Sequence, residues 1–130
     1  MKQLKPSVLV CLIAFSHCTG AAASSGLQGG IIVHLNCGDG EATAAMSADN
    51  NCLVHGLDQD AANISKARAY LRANGLYGRV SVARYAGESL PYGDNMINLL
   101  VADSLGDVPL REVMRVLVPG GTAMIGGEQT

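Results

Sequence analysis

The sequence predicts an α/β fold in which helices cover both faces of a doubly wound parallel sheet. Strand-like and helix-like segments alternate along the chain, and this order requires right-handed crossovers between parallel strands. The runs "GIIVHLN" and "MINLLVA" are continuously apolar, as expected for strands that are buried on both faces. At 130 residues the chain has room for one such domain.

Four segments make up the first half of the predicted domain. "GIIVHLN" is a strand, and a short helix follows it around Glu41–Ala48. "CLVHGL" is the second strand. The next helix spans Ala61–Asn74, because Asp60 can cap its first turn and Gly75 follows its end. The apolar face of this helix consists of Ile64, Ala67 and Leu71.

The second half continues the alternation. "RVSVARY" is the third strand and "MINLLVA" is the fourth. Leu110, Val113, Met114 and Leu117 recur at the spacing of one helical stripe, which we expect to cover one face of the sheet. "VPGG" should end that helix, and Thr122–Gly126 forms the fifth strand.

The N-terminal segment has the pattern of an export signal. Two lysines precede an apolar stretch over residues 8–15, and the small residues "TGAAASS" follow it. This order predicts a signal peptide over residues 1–23, a linker over 24–29 and a folded domain over 30–130. Eight apolar residues are too few to span a bilayer, which needs about twenty. We therefore expect an exported protein of the periplasm or cell envelope, the alternative being a misassigned start.

Composition and charge argue against a nucleic-acid partner. The chain has one Phe, four Tyr and no Trp, so few rings could stack on bases. Without the predicted signal, seven basic residues remain against eleven acidic ones, and the net charge falls from −2 to −4. An acidic surface without a basic patch also disfavours binding to an anionic membrane.

The cysteines indicate neither a disulfide nor a metal site. Cys37 follows one predicted strand, whereas Cys52 begins its neighbour, which places them about 15 Å apart, beyond disulfide reach. Both are expected to be small buried thiols. No CxxC or HxxxH spacing points to zinc. Lipid attachment at Cys18 is a weaker alternative to signal cleavage, because the bulky His17 precedes it.

Glycine and polar residues collect at the carboxyl ends of the predicted strands. In a doubly wound sheet the ligand lies in the crevice at these ends, near the switch point. The prediction brings together the loop 36–40, Asp58, the Tyr85–Gly87 corner and Asp103. The glycines of "NCGDG" permit tight turning and close approach of a ligand, and the helix after them points free N–H groups at the same place.

Asp58 turns this crevice into a predicted nucleoside site. It ends the second strand, eighteen residues after Gly40, where a carboxylate can accept hydrogen bonds from both ribose hydroxyls. A role for Asp58 as the cap of the next helix is less favoured, because Asp60 fits that role better.

Five blocks of the sequence resemble, in order, the motifs of class I S-adenosylmethionine-dependent methyltransferases. They are "IIVHLNCGDGEAT", "VHGLDQDAANISKAR", "GRVSVARYAGESLPYGDN", "INLLVADSL" and "EVMRVLVPGGTAMIG", which together cover residues 30 to 126. The resemblance implies a Rossmann-like sheet with the strand order 3-2-1-4-5. The chain is also similar to the methyltransferase-like portion of exported bacterial proteins that continue into a pyrroloquinoline-quinone-type β-propeller.

The resemblance assigns roles to particular residues, with S-adenosylmethionine as the implied cofactor. The glycine-loop positions that cradle its methionine and ribose parts are Asn36, Gly38 and Gly40. Asp58 is the implied ribose carboxylate, and Gln59 lies beside adenine. Gly87 lies next to the position from which the third strand usually presents an Asp to the adenine amino group. Asp103 follows the fourth strand, where methyl acceptors are often oriented, and it is the candidate catalytic residue.

Three positions depart from the family pattern. His34 replaces an acid that helps to fix the methionine ammonium, Asn36 replaces the first loop glycine, and Ala86 replaces the adenine-binding Asp. Loss of one charge-assisted contact costs about 1.5–3 kcal/mol, or roughly ten- to a hundredfold in affinity. A lone His on a buried strand is expected to be hydrogen-bonded core rather than a general base.

Two functions of different classes follow. The first is methyl transfer from S-adenosylmethionine to a small-molecule or protein acceptor that the sequence does not identify, in which the protein aligns the reactants. The alternative is a catalytically silent methyltransferase-like domain that acts as a scaffold or interaction module of an exported protein. A nicotinamide-dinucleotide enzyme is third, because "NCGDGEAT" lacks the third glycine of GxGxxG.

The family's sheet normally has seven strands, in the order 3-2-1-4-5-7-6, whereas strands six and seven have no counterpart in this sequence. The fifth strand is therefore expected to be an exposed edge. An unpaired apolar edge is a template for association, so we expect a partner there, which could be a β-propeller domain.

Overall fold

The computed structural model describes residues 29–47 and 51–126, together with the backbone of residues 128 and 129. The predicted signal peptide over residues 1–23 lies outside the described residues. The same is true of the predicted linker except for Gly29.

Strands and helices alternate through the described part of the chain. The strands are β1 (Ile31–Leu35), β2 (Leu53–Asp58), β3 (Val80–Arg84), β4 (Ile97–Ala102), β5 (Leu117–Ile125) and β6 (Glu128–Gln129). The helices are α1 (Glu41–Ala45), α2 (Ala61–Ala73) and α3 (Leu110–Val116).

The sheet has the order β3-β2-β1-β4-β5-β6, and its first five strands are parallel to one another. The predicted fold class and the order 3-2-1-4-5 are thus confirmed. The expected open edge at the fifth strand is correct only in part. Met124 and Ile125 of β5 pair with the short antiparallel strand β6, a neighbour that the sequence analysis does not include.

Side chains from the two faces of the sheet form two separate apolar cores. On one face, Ile32, Val54, Val80 and Leu99 pack against α1 and α2. On the other face, Val33, Leu57, Leu100 and Ala123 pack against α3 and the connection between β3 and β4. Strands that alternate between two covered faces must be apolar throughout, which explains the continuous hydrophobic runs in the sequence.

Helix α2 follows its sequence pattern closely. The side chain of Asp60 caps it by accepting a hydrogen bond from the Ala62 N–H at 2.9 Å. Its buried residues are the predicted Ile64, Ala67 and Leu71. Gly75 follows the helix end with φ +68°, a left-handed conformation that favours glycine.

Helix α3 corrects the predicted stripe. Val113 and Val116 are its buried residues, whereas Leu110 is 51% and Met114 61% exposed. Leu117 is buried but already belongs to β5. Positions 116 and 118 are also apolar, so the sequence permits more than one set of residues to form the buried face of this helix. The helix has seven residues, and it buries the pair Val113 and Val116.

Two other predicted boundaries change. Helix α1 ends at Ala45 rather than near Ala48, because the Ser47 hydroxyl and N–H both donate to the Ala44 carbonyl and close a turn there. Strand β5 begins at Leu117 rather than Thr122. "VPGG" lies inside it as an irregularity, because the register with β4 shifts between Ile97 and Leu99.

Candidate functional site

The carboxyl ends of β1, β2, β3 and β4 meet at one edge of the sheet, as predicted. The loop after β1 is hydrogen-bonded to Asp58 at the end of β2, to Tyr85 after β3 and to Ser104 after β4. Four separate stretches of sequence therefore line one crevice. Its centre lies between β1 and β4, the switch point where a doubly wound sheet binds its ligand.

Gly38 and Gly40 play different parts in the loop after β1. The Gly38 N–H donates to Asp58 Oδ2 at 3.0 Å, and a side chain at this position would meet open space. Gly40 is buried, and a Cβ on it would lie 2.9 Å from the Cβ of Ala67 in α2. Both have positive φ, +58° and +87°. Gly38 thus faces the crevice, whereas Gly40 permits the close approach of α2 to the start of α1.

Asp58 joins the glycine loop to the start of α2. Asp58 is only 7% exposed, and its carboxylate accepts hydrogen bonds from the Gly38 N–H, the Asp60 N–H at 2.9 Å and Asn63 Nδ2 at 3.3 Å. A carboxylate has about four acceptor sites. The Gly38 and Asn63 bonds both end on Oδ2 and the Asp60 bond ends on Oδ1, so one acceptor site on Oδ1 is left for a hydroxyl group.

Gln59 and the corner after β3 form one wall of the crevice. A Cβ on Gly87 would lie 2.9 Å from Gln59 Nε2, so the two predicted site residues are in direct contact. Arg84 Nε donates to the Gln59 carbonyl at 2.8 Å. Gln59, Arg84, Tyr85 and Ala86 line an open depression of about 350 Å³. This depression lies where the resemblance places adenine.

Asn36 crosses the crevice at the switch point. Its Nδ2 donates to the Ser104 carbonyl at 3.2 Å, and its Oδ1 accepts a hydrogen bond from the Tyr85 hydroxyl at 3.3 Å. Asn36 has φ +58°, a left-handed conformation that Asn tolerates better than most residues. Asn36 therefore adopts, with a side chain present, a backbone conformation that glycine also favours.

His34 lies beneath this loop, near the charges of Asp58 and Asp103. It is 8% exposed, and its Nδ1 lies 2.8 Å from the hydroxyl oxygen of Thr43 in α1. Burial lowers the pKa of His34, although both carboxylates act in the opposite direction. The imidazole is therefore neutral at pH 7, and it supplies no negative charge where the family has an acid.

The remaining candidates lie at the same edge. Asp103 directly follows β4 and is exposed to solvent. Cys37 and Cys52 are both buried, and neither forms a disulfide bond among the described residues. Burial and the charge of Asp58 raise the pKa of Cys37 to about 11, so its side chain is a thiol at neutral pH.

Asn63 takes part in the site although the sequence analysis did not assign it there, and Tyr85 of the predicted corner does so through a hydroxyl contact that was not predicted. Asn63 lies three residues after the capping Asp60, at a position from which side chains often reach back to the helix start, so its spacing could have identified it. The bridging role of the Tyr85 hydroxyl depends on how its side chain crosses the sheet edge, and no spacing in the sequence encodes that direction.

Two other kinds of feature are not found among the described residues. Within residues 29–47 and 51–126, no group of His, Cys, Asp and Glu is arranged to hold a metal ion. None of the helices in the described part of the chain is long and apolar enough to cross a membrane.

Comparison with known proteins identifies the domain. Residues 32–121 match the family model of a methyltransferase domain. The methyltransferase GfsG of Streptomyces halstedii is 30% identical over 100 residues, which are 72% of this chain and 36% of that protein. An uncharacterized protein of Haemophilus influenzae is 24% identical over 98 residues, 69% of this chain and 39% of that protein. The chain thus spans less than half the length of these two relatives.

Solved structures share the fold. A methyltransferase from Aquifex aeolicus that depends on S-adenosylmethionine aligns with a TM-score of 0.70 and 17% identity over 82% of this chain and 62% of that chain. The [4+2]-cyclase SpnF aligns with a TM-score of 0.74 and 29% identity over 84% and 43% of the two chains. The sheet, the site at its carboxyl edge and the family match agree, and this chain belongs to the methyltransferase domain family.

Proposed function

We propose that this chain is the cofactor-binding domain of a class I methyltransferase that uses S-adenosylmethionine. The observation that carries the proposal is the hydrogen bond between Gly38 and Asp58, which joins the glycine loop to a buried carboxylate at the switch point of the sheet. This is the arrangement that a ribose needs, with a backbone that permits close approach and an acceptor for its hydroxyls.

The residues at the crevice fit the cofactor. Asp58 retains acceptor capacity for a ribose hydroxyl, and the depression beside Gln59 and Ala86 is open to receive the adenine. Gly38 leaves space along the loop for the methionine part. When bound, the cofactor supplies a methyl group on a positively charged sulfur. The protein contributes alignment of the methyl acceptor with that group, and Asp103 lies at the edge where an acceptor would be oriented.

The proposal includes weak binding of the cofactor. A neutral His34 stands where the family has an acid, and Ala86 stands where it has an adenine-binding Asp. The Asn36 bridge from the loop to Ser104 must also open or adapt when a ligand enters at the switch point. We therefore expect His34→Asp and Ala86→Asp each to tighten cofactor binding.

A second candidate is a catalytically silent domain that serves as a scaffold or interaction module. The observation that favours it is that Asp58 accepts three hydrogen bonds within the chain and the Asn36 side chain bridges Tyr85 and Ser104, which ties the walls of the crevice to one another. The similarity to a [4+2]-cyclase also illustrates that this fold can carry different functions.

Calorimetric titration of the full chain with S-adenosylmethionine, S-adenosylhomocysteine and NAD separates these candidates. We expect S-adenosylhomocysteine to bind more tightly than NAD, and Asp58→Ala to weaken it by about ten- to a hundredfold. Asp107→Ala, an exposed carboxylate outside the crevice, is the matched control. Absence of binding by wild type, with no gain in His34→Asp or Ala86→Asp, favours the silent scaffold. Equal binding by wild type and Asp58→Ala contradicts the ribose assignment.

We also propose that the protein is exported and that it works beside a further domain or partner, such as a β-propeller. Support comes from the signal-like pattern of residues 1–23 and from the outer edge of β5, where Met124 and Ile125 pair with the two-residue strand β6. Cell fractionation after expression in a bacterium with the N-terminus intact tests export. A product outside the cytoplasm that is shortened near Ala23 is expected, and a full-length cytoplasmic product contradicts the proposal.

A further inference from the structure

Arg115 of α3 ties the helix to the connection between β3 and β4. Its Nη1 donates to the Tyr92 carbonyl at 2.9 Å and to Asp94 Oδ1 at 2.8 Å. Its Nη2 donates to the Leu90 carbonyl at 3.3 Å. One planar guanidinium thus contacts three residues of the same connection, which a flexible point charge such as Lys could not do at once.

Glu112, one turn earlier, completes this arrangement from the other side. It accepts two hydrogen bonds from Arg115, Nε to Oε1 at 2.9 Å and Nη2 to Oε2 at 2.6 Å. Its Oε2 also accepts from the Leu90 N–H at 2.8 Å. The hydrogen bonds from Arg115 and Leu90 lower the pKa of Glu112 to about 2, so the carboxylate stays charged at physiological pH. We call Glu112 and Arg115 together the α3 clamp.

The segment that the clamp holds also forms a wall of the crevice. Residues 85–96 contain no helix or strand, and their first members, Tyr85 to Gly87, contact Asn36 and Gln59. Leu90 is 2% exposed and belongs to the same apolar core as Tyr85. The clamp therefore fixes one end of an irregular segment whose other end lines the depression beside Gln59.

We propose that Glu112 and Arg115 are positioning residues for the nucleoside part of the cofactor, because they hold the connection after β3 so that the Tyr85–Gly87 corner stays beside Gln59. The inference rests on the proposed function. Neither residue touches the crevice itself, and both act through Leu90 and Tyr92. In catalysis, a displacement of about 1 Å caused by a distant residue can cost about a hundredfold in rate. Hydrogen bonds and contacts to a nucleoside also depend on geometry, so a distant clamp can control affinity.

The test uses Arg115→Lys and Glu112→Gln in the full chain, with Arg111→Lys as the matched control. Arg111 is an exposed residue of the same helix. Calorimetry gives the Kd and the stoichiometry for S-adenosylhomocysteine and for S-inosylhomocysteine, which differs only in its base. Amide hydrogen exchange of the unliganded proteins reports on residues 85–94. The temperature is kept well below the unfolding transition of every variant.

We expect both clamp variants to raise the Kd for S-adenosylhomocysteine about tenfold at unchanged stoichiometry, and to lower the preference over S-inosylhomocysteine. Exchange at residues 85–94 should rise, whereas Arg111→Lys should match wild type. If the clamp only stabilises the fold, its substitution lowers the stoichiometry or the unfolding temperature and leaves the Kd unchanged. That result overturns the inference while the proposed function stands. If wild type, His34→Asp and Ala86→Asp all bind neither ligand, the proposed function fails, and the inference fails with it.

Discussion

The helices α2 and α3 cover opposite faces of the sheet, and they are held there by different means. Helix α2 has 13 residues, a side-chain cap from Asp60 and a continuous buried face. Helix α3 has seven residues, has Pro109 at its N-cap without a side-chain hydrogen bond, and leaves Leu110 and Met114 exposed. Its Glu112 and Arg115 bind the connection after β3.

This difference shows how each face contributes to the site. Helix α2 reaches the crevice directly, because Asn63 of its first turn donates to Asp58 and Ala67 supports Gly40. Helix α3 reaches it through residues 85–94, by the hydrogen bonds of Glu112 and Arg115 and through the apolar core that its Val113 and Val116 share with Tyr85 and Leu90. We therefore expect substitutions of charged residues to affect the site mainly through α3, and apolar substitutions in either helix to act according to how deeply the side chain is buried.

The largest expected effect is the loss of apolar packing under α2. Leu71 is fully buried, so Leu71→Ala should lower the free energy of unfolding by about 2–5 kcal/mol. Met114 on α3 is exposed, so Met114→Ala should change the free energy of unfolding by no more than about 0.5 kcal/mol. Urea unfolding of both variants measures the two losses of unfolding free energy. Equal losses would show that the Met114 side chain packs against another part of the protein, which contradicts its exposed position.

The next largest effect separates the two loop glycines. In Gly40→Ala the new Cβ lies 2.9 Å from Ala67 Cβ at a positive φ, so we expect a loss of about 2–4 kcal/mol. Gly38→Ala has the same sign of φ but open space around it, and it should cost about 1–2 kcal/mol. Thermal unfolding at fixed pH compares them, and the reverse order would contradict close packing of α2 on the loop.

A smaller effect concerns the start of α2. Asp60→Ala removes the acceptor for the Ala62 N–H and should destabilise the protein by about 1 kcal/mol. The equivalent change before α3, Asp107→Ala, removes an exposed carboxylate and should be close to neutral. Denaturant midpoints of the two variants, at unchanged slope, provide the measurement.

The smallest expected effect is a pH dependence of the unfolding free energy. It is caused by two histidines, one on each face of the sheet. Burial lowers the folded-state pKa of His34, and it also lowers that of His55, whose Nδ1 lies 2.5 Å from the Tyr92 hydroxyl. As pH falls through the unfolded value of 6.5, the unfolded chain binds protons that the folded protein resists, so stability decreases. Urea midpoints at pH 7.5 and 5.5 should differ less in His34→Gln and in His55→Gln than in wild type.

The sequence predicted the structure best where a pattern of residues is compatible with only one local structure. The buried strands, the Asp60 cap and the meeting of Asp58 with the glycine loop all follow from periodicity and from the geometry of parallel sheets. It predicted the structure least well where the same residues are compatible with several local structures. Apolar residues at 110, 113, 114, 116 and 117 fit two helix stripes.

Side-chain direction and non-local pairing account for the rest. The sequence identifies Gly40 as a loop glycine, but it does not reveal that a Cβ at this position would point at Ala67 and not into the crevice. That direction depends on how α2 packs against the loop. The Asn36 bridge depends on three separate connections that converge at the sheet edge. The short strand β6 pairs through two residue positions, too few to leave a periodic pattern in the sequence.

The most direct test of the central claim, that the carboxyl edge of the sheet binds the nucleoside cofactor, is a nuclear magnetic resonance titration of the full, isotopically labelled chain. Backbone amide shifts are followed as S-adenosylhomocysteine is added. We expect the largest changes at Asn36, Gly38, Asp58, Gln59 and Gly87, with the Gly38 amide affected most because its bond to Asp58 must readjust. No change at these amides at saturating ligand, or changes confined to α3 and β5, would contradict the account.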